Sequence, residues 1–551
     1  MNKTFKIICV FSLLALLATC FFVFVGCNNS ANGLKIKVND VVQSVTLSEK
    51  QSDVWYADLD LSENSSVVVY DEKGKAHSVS VTDGGKYTLF LKKNGKSYEL
   101  EARKEKRAVL WVTALLSGGL YDQAKQTAVW DPLPFDDVLL RDFLTPEAMT
   151  ESIGKLIPRL LVPSDNFKLA DLLNPIVGNY QDESNLLWNL SFDHDGNPNN
   201  PNIMPANGFD NKVQYGVLGA YTDHNAAINE TLDKFGIEFH VFNYDWRKDC
   251  AEGADALTDY IEENKYTNVI LFSHSMGGNV VASYLAKSEY NRSRIAGYVS
   301  MGGAFLGSFD ALYTMENLPT YLDGSIKAMG MGDLIESYSG LLKFIKTDEL
   351  FEQLQNFIIS LDTFVQLLPS YDLISGPQYG ENGDGVAFTV DGVAIEDKDS
   401  LYSFYESRSW AWQKDENGEY VMDGDKHVIR DVVKNLRNFH DSLFVTLESG
   451  ERVFSTTLVD TYYVIGKDVT TYCGADLDTT TDEFTFRTTQ KGDMQVLYYS
   501  ALANLDDQKL LEDGKLVIYD GYNHFQVGCD WELIKETTYN CISTLFGLEL
   551  E

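Results

Sequence analysis

The first readable stretch of the chain alternates apolar and polar residues. Leu34 to Val38, Ser66 to Tyr70 and Tyr87 to Leu91 each send like side chains to one face, as half-buried strands do. Turn residues separate them at Asp71 to Lys75, Asp83-Gly84-Gly85 and Asn94-Gly95. This pattern predicts a small all-β, sandwich-like domain over 28–105, with its strands ending near Arg103. From Ala108 the rhythm changes. Val109 to Thr113 is a continuous apolar run of buried-strand type. An amphipathic segment follows near Ala226 to Phe235, then strand Glu238 to Phe242 and a helix over Ala254 to Glu263. Strand Asn268 to Phe272, helix Gly278 to Ser288 and strand Ala296 to Met301 continue the alternation. Strands alternating with helices predict a mostly parallel sheet covered on both faces. Met301 to about Leu447 interrupts it, with a helical stretch from Glu349 to Leu368. Hairpin signals follow at Asp391-Gly392, Asn417-Gly418 and Asp423-Gly424. This segment reads as a cap inserted at about 303–455 into a domain spanning 106–551. Tyr462 to Gly466 and Lys515 to Tyr519 return to the sheet.

The N-terminus adds an address. Lys3 and Lys6 precede an apolar run from Ile7 to Val25, and Gly26-Cys27 follows. A charged start, an apolar core and a small residue before the cut describe an export signal over 1–27. Gly26-Cys27 is similar to a bacterial lipobox, which implies lipidation of Cys27. Phe24 stands where Leu is usual, so a simple signal or an uncleaved anchor helix stays open. All three place the remainder outside the cytoplasm, with the lipidated form held on the cell membrane.

Composition narrows the partners. A formal net charge of −36 with a pI near 4.5 offers little to a phosphate backbone, so nucleic acid is set aside. Cys250, Cys473, Cys529 and Cys541 leave room for one or two bridges in an oxidising compartment, but not for a disulfide scaffold. No Cys/His spacing suits zinc, and Asp193-His194-Asp195-Gly196-Asn197 has its glycine too early for a calcium loop. No metal or organic cofactor is expected.

The chemistry concentrates after the strand Asn268 to Phe272. Ser273-His274-Ser275-Met276-Gly277 places Ser275 between small residues two positions before and after, with an apolar strand ahead and a helix behind. A nucleophilic serine needs such a strand-to-helix turn, where its hydroxyl projects and neighbouring amides face the oxyanion. Ser275 needs a base oriented by a carboxylate, and in this fold the chain order is Ser, acid, His. His524, on the loop after the last strand, fits the base; His427 and His440 fall within the insertion. Asp384 and Asp493 are both candidate acids, and the chain order favours Asp493. The oxyanion donors are expected at the amide of Met276 and in the loop after the first strand, around Leu115 and Leu116.

These residues resemble the lecithin:cholesterol acyltransferase family, which includes lysosomal phospholipase and phospholipid:diacylglycerol acyltransferase. Phe242-Asn243-Tyr244-Asp245-Trp246-Arg247 is similar to its Tyr-Asp-Trp-Arg signature, and Ser273 to Gly277 to its elbow. Gly302-Gly303-Ala304-Phe305-Leu306-Gly307-Ser308 and Leu367-Leu368-Pro369 resemble two further segments. Gly492-Asp493 with Val496 and Ser500 resembles its Gly-Asp-Gly-Thr-Val acid motif. The resemblance covers about Ala108 to Glu551 and implies an α/β-hydrolase fold acting on lipid acyl esters. Three departures stand out. Thr113-Ala114 replaces a Pro-Gly turn, Met494-Gln495 replaces Gly-Thr, and the paired cysteines of the animal enzymes' membrane-binding lid are missing. The expected function is an extracytoplasmic serine acyl-ester hydrolase. Acyl transfer to an alcohol is the alternative, and a catalytically dead, surface-anchored binding protein the reading from another class. Oligomeric state is left open.

Overall fold

The apolar runs pair side by side in one parallel sheet. Its strands are β1 (Arg107–Val112), β2 (Glu238–Phe242), β3 (Asn268–His274), β4 (Ile295–Met301), β5 (Thr461–Lys467) and β6 (Leu516–Asp520). They lie in the order β2-β1-β3-β4-β5-β6, every neighbour parallel. The computed structural model describes residues 34–51, 53–130, 186–193, 196–206, 221–317, 355–379, 385–415 and 418–550. It divides into two compact units, Met1–Glu105 and Lys106–Glu551.

Helices bury both faces of this sheet. They include α1 (Thr222–Leu232), α2 (Cys250–Glu263), α3 (Gly277–Lys287), α4 (His524–Cys529) and α5 (Trp531–Phe546). Because side chains alternate along a strand, Ala108, Leu110 and Val112 of β1 join one core with residues of α2 and α3. Val109 and Trp111 join the other, with residues of α1 and α5. Double-sided burial explains why these strands are unbroken apolar runs. The chain leaves β1 for β2 on one side and then crosses to β3 on the other. That reversal opens a crevice beyond the carboxyl ends of β1 and β3, where open α/β sheets place their sites.

Two insertions interrupt the sheet, and one of them was not expected. Between β4 and β5 lie, among the described residues, helices Asp362–Gln366, Tyr371–Ile374, Lys398–Ser407 and Asp431–Ser442 and three small hairpins, Phe388–Val390 with Val393–Ala394, Met422–Asp423 with Lys426–His427 and Phe444–Thr446 with Arg452–Phe454. The helical stretch expected over 349–368 is broken at Leu361, whose extended backbone ends one helix before Asp362 starts the next. Residues 349–354 and Asp384 lie outside the described residues. Trp410 is buried with Nε1 donating to Glu316, while Trp412 stacks on His427 at 3.7 Å; both are packing residues. Between β5 and β6, strands Thr471–Asp478 and Glu483–Thr489 form a hairpin whose first strand pairs with Phe388–Val390. The two insertions therefore share one small sheet.

The N-terminal unit is β-rich. Its strands are Leu34–Val38, Val41–Gln51, Val54–Leu61, Ser66–Tyr70, Ala76–Ser80, Gly85–Asn94 and Ser97–Lys104. They form one continuous antiparallel order, because the long second strand pairs with both halves. The sheet curls until its edge strands meet, with the His77 ring 5.3 Å from that of Tyr98. Ile36, Val67, Val69, Leu89 and Leu91 fill the core. Cys27 and the apolar run 7–25 lie outside the described residues. Among the described residues no helix is long and apolar enough to cross a membrane. Cys250, Cys473, Cys529 and Cys541 are buried free thiols rather than bridges.

One packing feature has a measurable pH signature. Burial holds His440 down at about 4, although the Gln366 carbonyl accepts a hydrogen bond from its Nε2. A histidine whose folded pKa is depressed stays neutral while the unfolded chain takes up protons. Its contribution to stability is therefore present above about pH 6.5 and is lost as pH falls towards 4. Between pH 6.5 and 5 the wild type should lose on the order of 1 kcal/mol per pH unit more than His440→Gln. Urea unfolding at several pH values reads this, and parallel slopes in the two proteins would refute it.

Candidate active site

The strand-to-helix turn is set by close backbone approach. Ser275 has φ 55°, a left-handed conformation that ordinary residues adopt at a cost. Its N–H donates to the carbonyl of Met301 at 3.0 Å, and its own carbonyl accepts from Gly278 at 2.9 Å. Gly277 is required here. A Cβ on it would come within 2.6 Å of the Thr113 carbonyl oxygen and 2.7 Å of that of Val112. The carboxyl end of β1, at Val112 and Thr113, thus lies directly beside Gly277. Ser273 stands where a glycine is usual and is tolerated because its hydroxyl bonds that of Tyr298 on β4 at 2.6 Å.

His524 and Asp493 meet in a buried pair. His524 starts α4, behind a capping box in which the Asn523 side chain accepts from Gln526 N–H. Its Nδ1 lies 2.7 Å from Asp493 Oδ2, and its N–H donates to the Asp493 carbonyl, also at 2.7 Å. The other carboxylate oxygen accepts from Val496 N–H at 2.8 Å and Gln495 N–H at 3.2 Å. With Oδ2 accepting, Nδ1 carries the hydrogen and Nε2 is left as the basic nitrogen. Nε2 is buried and has no hydrogen-bond partner. Gly302, at φ 58°, makes room for the pair: a Cβ there would lie 3.2 Å from the His524 ring and 3.4 Å from Asp493 Oδ2. Gly302, which packs against this pair, directly follows Met301, whose carbonyl accepts from the Ser275 amide.

The surrounding motifs buttress this turn. Trp246 Nε1 donates to the Gly118 carbonyl at 2.9 Å, and Asn243 accepts from Gly119 N–H at 3.2 Å. The Phe242 to Arg247 segment therefore holds the loop after β1. Arg247, fully buried, is clamped by both oxygens of Asp245 at 2.7 Å. Ser500 accepts from Leu306 N–H and donates to the Gly307 carbonyl, and Ser308 donates to the Gln495 carbonyl. These bonds tie the acid segment to the segment after β4. His427 and His440 lie in the insertion, and the structure does not bring them to Ser275: His427 stacks on Trp412, and His440 bonds Tyr402 and Gln366. Asp193 and Asn197 close a tight turn on each other. Among the described residues no group of His, Cys, Asp and Glu side chains could hold a metal ion.

Three neighbours were not legible in the sequence. Tyr221, His224 and Gly528 pack around His274, the residue before the nucleophile. Burial, with the nearby His524 ring next, holds His274 well below the usual histidine range, and burial alone takes His224 to about 3. Both are neutral.

A parallel sheet with helices on both faces, a left-handed serine between strand and helix, and a buried Asp–His pair after later strands define a protein of the α/β-hydrolase class. Residues 171–318 match the family model described as "Lecithin:cholesterol acyltransferase". The likeness over those residues supports an enzyme that hydrolyses or transfers lipid acyl esters. A solved structure described as "The crystal structure of Tle4-Tli4 complex" aligns with 15% identity over 81% of this chain and 100% of that chain, at a TM-score of 0.40. A likeness that slight carries no argument. No curated protein matches the chain.

Met494 marks a departure with a cost. It occupies the position of a glycine in the family's acid motif yet keeps φ at 94°. Such a backbone costs a side-chain-bearing residue about 1–3 kcal/mol, against about 0.5–1 kcal/mol of extra chain entropy for glycine. Met494→Gly should therefore raise stability by about 1 kcal/mol, read as a higher urea midpoint at unchanged slope. A lower midpoint would mean that the Met494 side chain contributes more than its backbone costs.

Proposed function

We propose that the protein is an extracytoplasmic serine acyl-ester hydrolase of lipids, with Ser275, Asp493 and His524 as its triad. The observation that carries this reading is the 2.7 Å bond from His524 to Asp493, which leaves Nε2 as the free, buried, basic nitrogen of the ring. In the reaction, Nε2 takes the Ser275 hydroxyl proton as Oγ bonds the ester carbonyl carbon. Asp493 stabilises the imidazolium and holds its tautomer. The amide of Met276, the N-cap of α3, and that of Leu115 in the loop after β1 receive the developing oxyanion. Collapse of the tetrahedral adduct breaks the ester C–O bond, and the imidazolium returns its proton to the leaving alcohol. An acyl-enzyme remains, which water resolves by the same steps.

The finer architecture belongs to the same proposal. The segment at about 303–455 acts as a cap that shapes acyl and acceptor binding. The β-rich unit over 28–105 is a spacer that follows a lipid anchor at Cys27 on the outer face of the cell membrane. The partner is a lipid or other acyl ester, with no cofactor required.

The test is acyl release by residues 28–551 from mixed neutral phospholipids and glycerides, with a long-chain alcohol present or absent. Free fatty acid from the wild type, reduced at least about 10³-fold in Ser275→Ala, is the expected outcome. Ester formed with the added alcohol would move the reading to an acyltransferase. No turnover together with no fluorophosphonate labelling of Ser275 would favour a binding protein with a dead site.

A further inference from the structure

The residue before the nucleophile is held in an unusual way. The His274 ring is buried and lies flat against the backbone of Gly528, where a Cβ would come within 2.1 Å of its Cδ2. Its Nε2 lies 3.0 Å from the carbonyl oxygen of His524. A carbonyl only accepts, so Nε2 carries the hydrogen and Nδ1 is a bare acceptor. That acceptor faces the Tyr221 hydroxyl at 3.1 Å. The same hydroxyl accepts from the N–H of Ala114, in the loop after β1, at 3.3 Å. The path reads Ala114 N–H to Tyr221, Tyr221 O–H to His274 Nδ1, which the Cys529 thiol also faces at 3.8 Å, and His274 N–H to the His524 carbonyl. His224 extends it, since its Nε2 donates to the Gly528 carbonyl at 3.2 Å, near the other end of α4.

We propose that His274 and Tyr221 are positioning residues of the reaction, forming a buried relay that locks the oxyanion loop and the base-bearing helix α4 to the nucleophile turn. The inference rests on the reading of Ser275, Asp493 and His524 as the triad. The relay touches no substrate. It joins the three segments whose relative placement the chemistry needs: Ala114 precedes Leu115, His274 precedes Ser275, and the accepting carbonyl belongs to His524 itself. Misplacement of such groups by about 1 Å costs on the order of 10²-fold in rate.

Neutrality of the relay also matters. The rings of His274 and His524 have centroids 5.0 Å apart. When His524 becomes an imidazolium, a second cation at that distance in a buried site would oppose it. Burial keeps His274 neutral, and the adjoining Cys529 thiol, 3.8 Å from Nδ1 and pushed up to about 12 by burial, adds no charge.

Tyr221→Phe removes only the relay's hydroxyl, His274→Leu removes both bonds of the imidazole, and His274→Gln keeps one donor and one acceptor on a similar frame. Steady-state kinetics on a soluble acyl ester, with thermal unfolding alongside, read the three variants. We expect kcat to fall about 10-fold in Tyr221→Phe and about 100-fold in His274→Leu, with KM within about twofold and His274→Gln recovering most of the loss. A purely structural role would lower Tm without this kcat-against-KM split. The relay is overturned if Tyr221→Phe keeps wild-type kcat, or if KM alone changes. Should His274→Leu fail to fold, Tyr221→Phe decides alone. Ser275→Ala and His524→Ala run in parallel separate the two readings, because inactivity of the wild type, or activity surviving in both alanine variants, would sink the triad and not the relay alone.

Discussion

The left-handed backbone at Ser275 is the constraint from which the rest of the site follows. A residue at φ 55° turns the chain sharply enough that α3 starts against the carboxyl end of β1, with Gly277 pressed on the carbonyls of Val112 and Thr113. Any Cβ at that point would push helix and strand apart. The contact brings the start of α3 and the carboxyl end of β1 to the same place, although they are distant in sequence. The strain at Ser275, of order 1–3 kcal/mol, persists because β3 is buried on both faces and its neighbours fix the turn. Gly302 repeats the device one strand over, in a second left-handed turn that clears space for the His524–Asp493 pair.

How much of this was legible depends on whether the determining interactions are local. The parallel strands are apolar runs because both of their faces are covered, so β1 to β6 could be read within a residue or two. Ser275 carried its own signal, since its turn needs small residues at fixed spacing. His524 and Asp493 followed from chain order, and their 2.7 Å approach agrees with that order. The hairpin Thr471–Thr489 was missed because one of its strands pairs with Phe388–Val390 from another insertion, a partner that no local pattern announces. Three N-terminal strands, Leu34–Val38, Ser66–Tyr70 and Gly85–Asn94, were legible from period-two alternation; Val41–Gln51, Val54–Leu61, Ala76–Ser80 and Ser97–Lys104 were not, and the continuous order depends on Val41–Gln51 serving two neighbours.

Tyr221, His224 and Gly528 were invisible for the same reason. Tyr221 acts on His274 across 53 residues and His224 on Gly528 across 304. A buried neutral histidine has no sequence signature of its own, and a glycine inside a short helix reads only as a weak helix former. Ser273 is the converse case. It departs from the usual glycine, and the departure is explained by one hydroxyl on the next strand, Tyr298.

The two insertions bear on how changes in this enzyme should be read. They share a sheet, and the segment after β4 is bonded to the acid segment through Ser500, Leu306, Gly307 and Ser308. The 303–455 segment and the residues that hold Asp493 therefore belong to one packed body, in which strain is transmitted. A substitution in the 303–455 segment can then lower kcat by shifting the carboxylate, without touching substrate. Under the proposed mechanism hydrolysis and acyl transfer share every step up to the acyl-enzyme, so altered placement of Asp493 would slow both. Altered water access changes their ratio instead. It is the ratio of acid to ester formed, and not the rate of either, that reports on the surface selecting the acceptor.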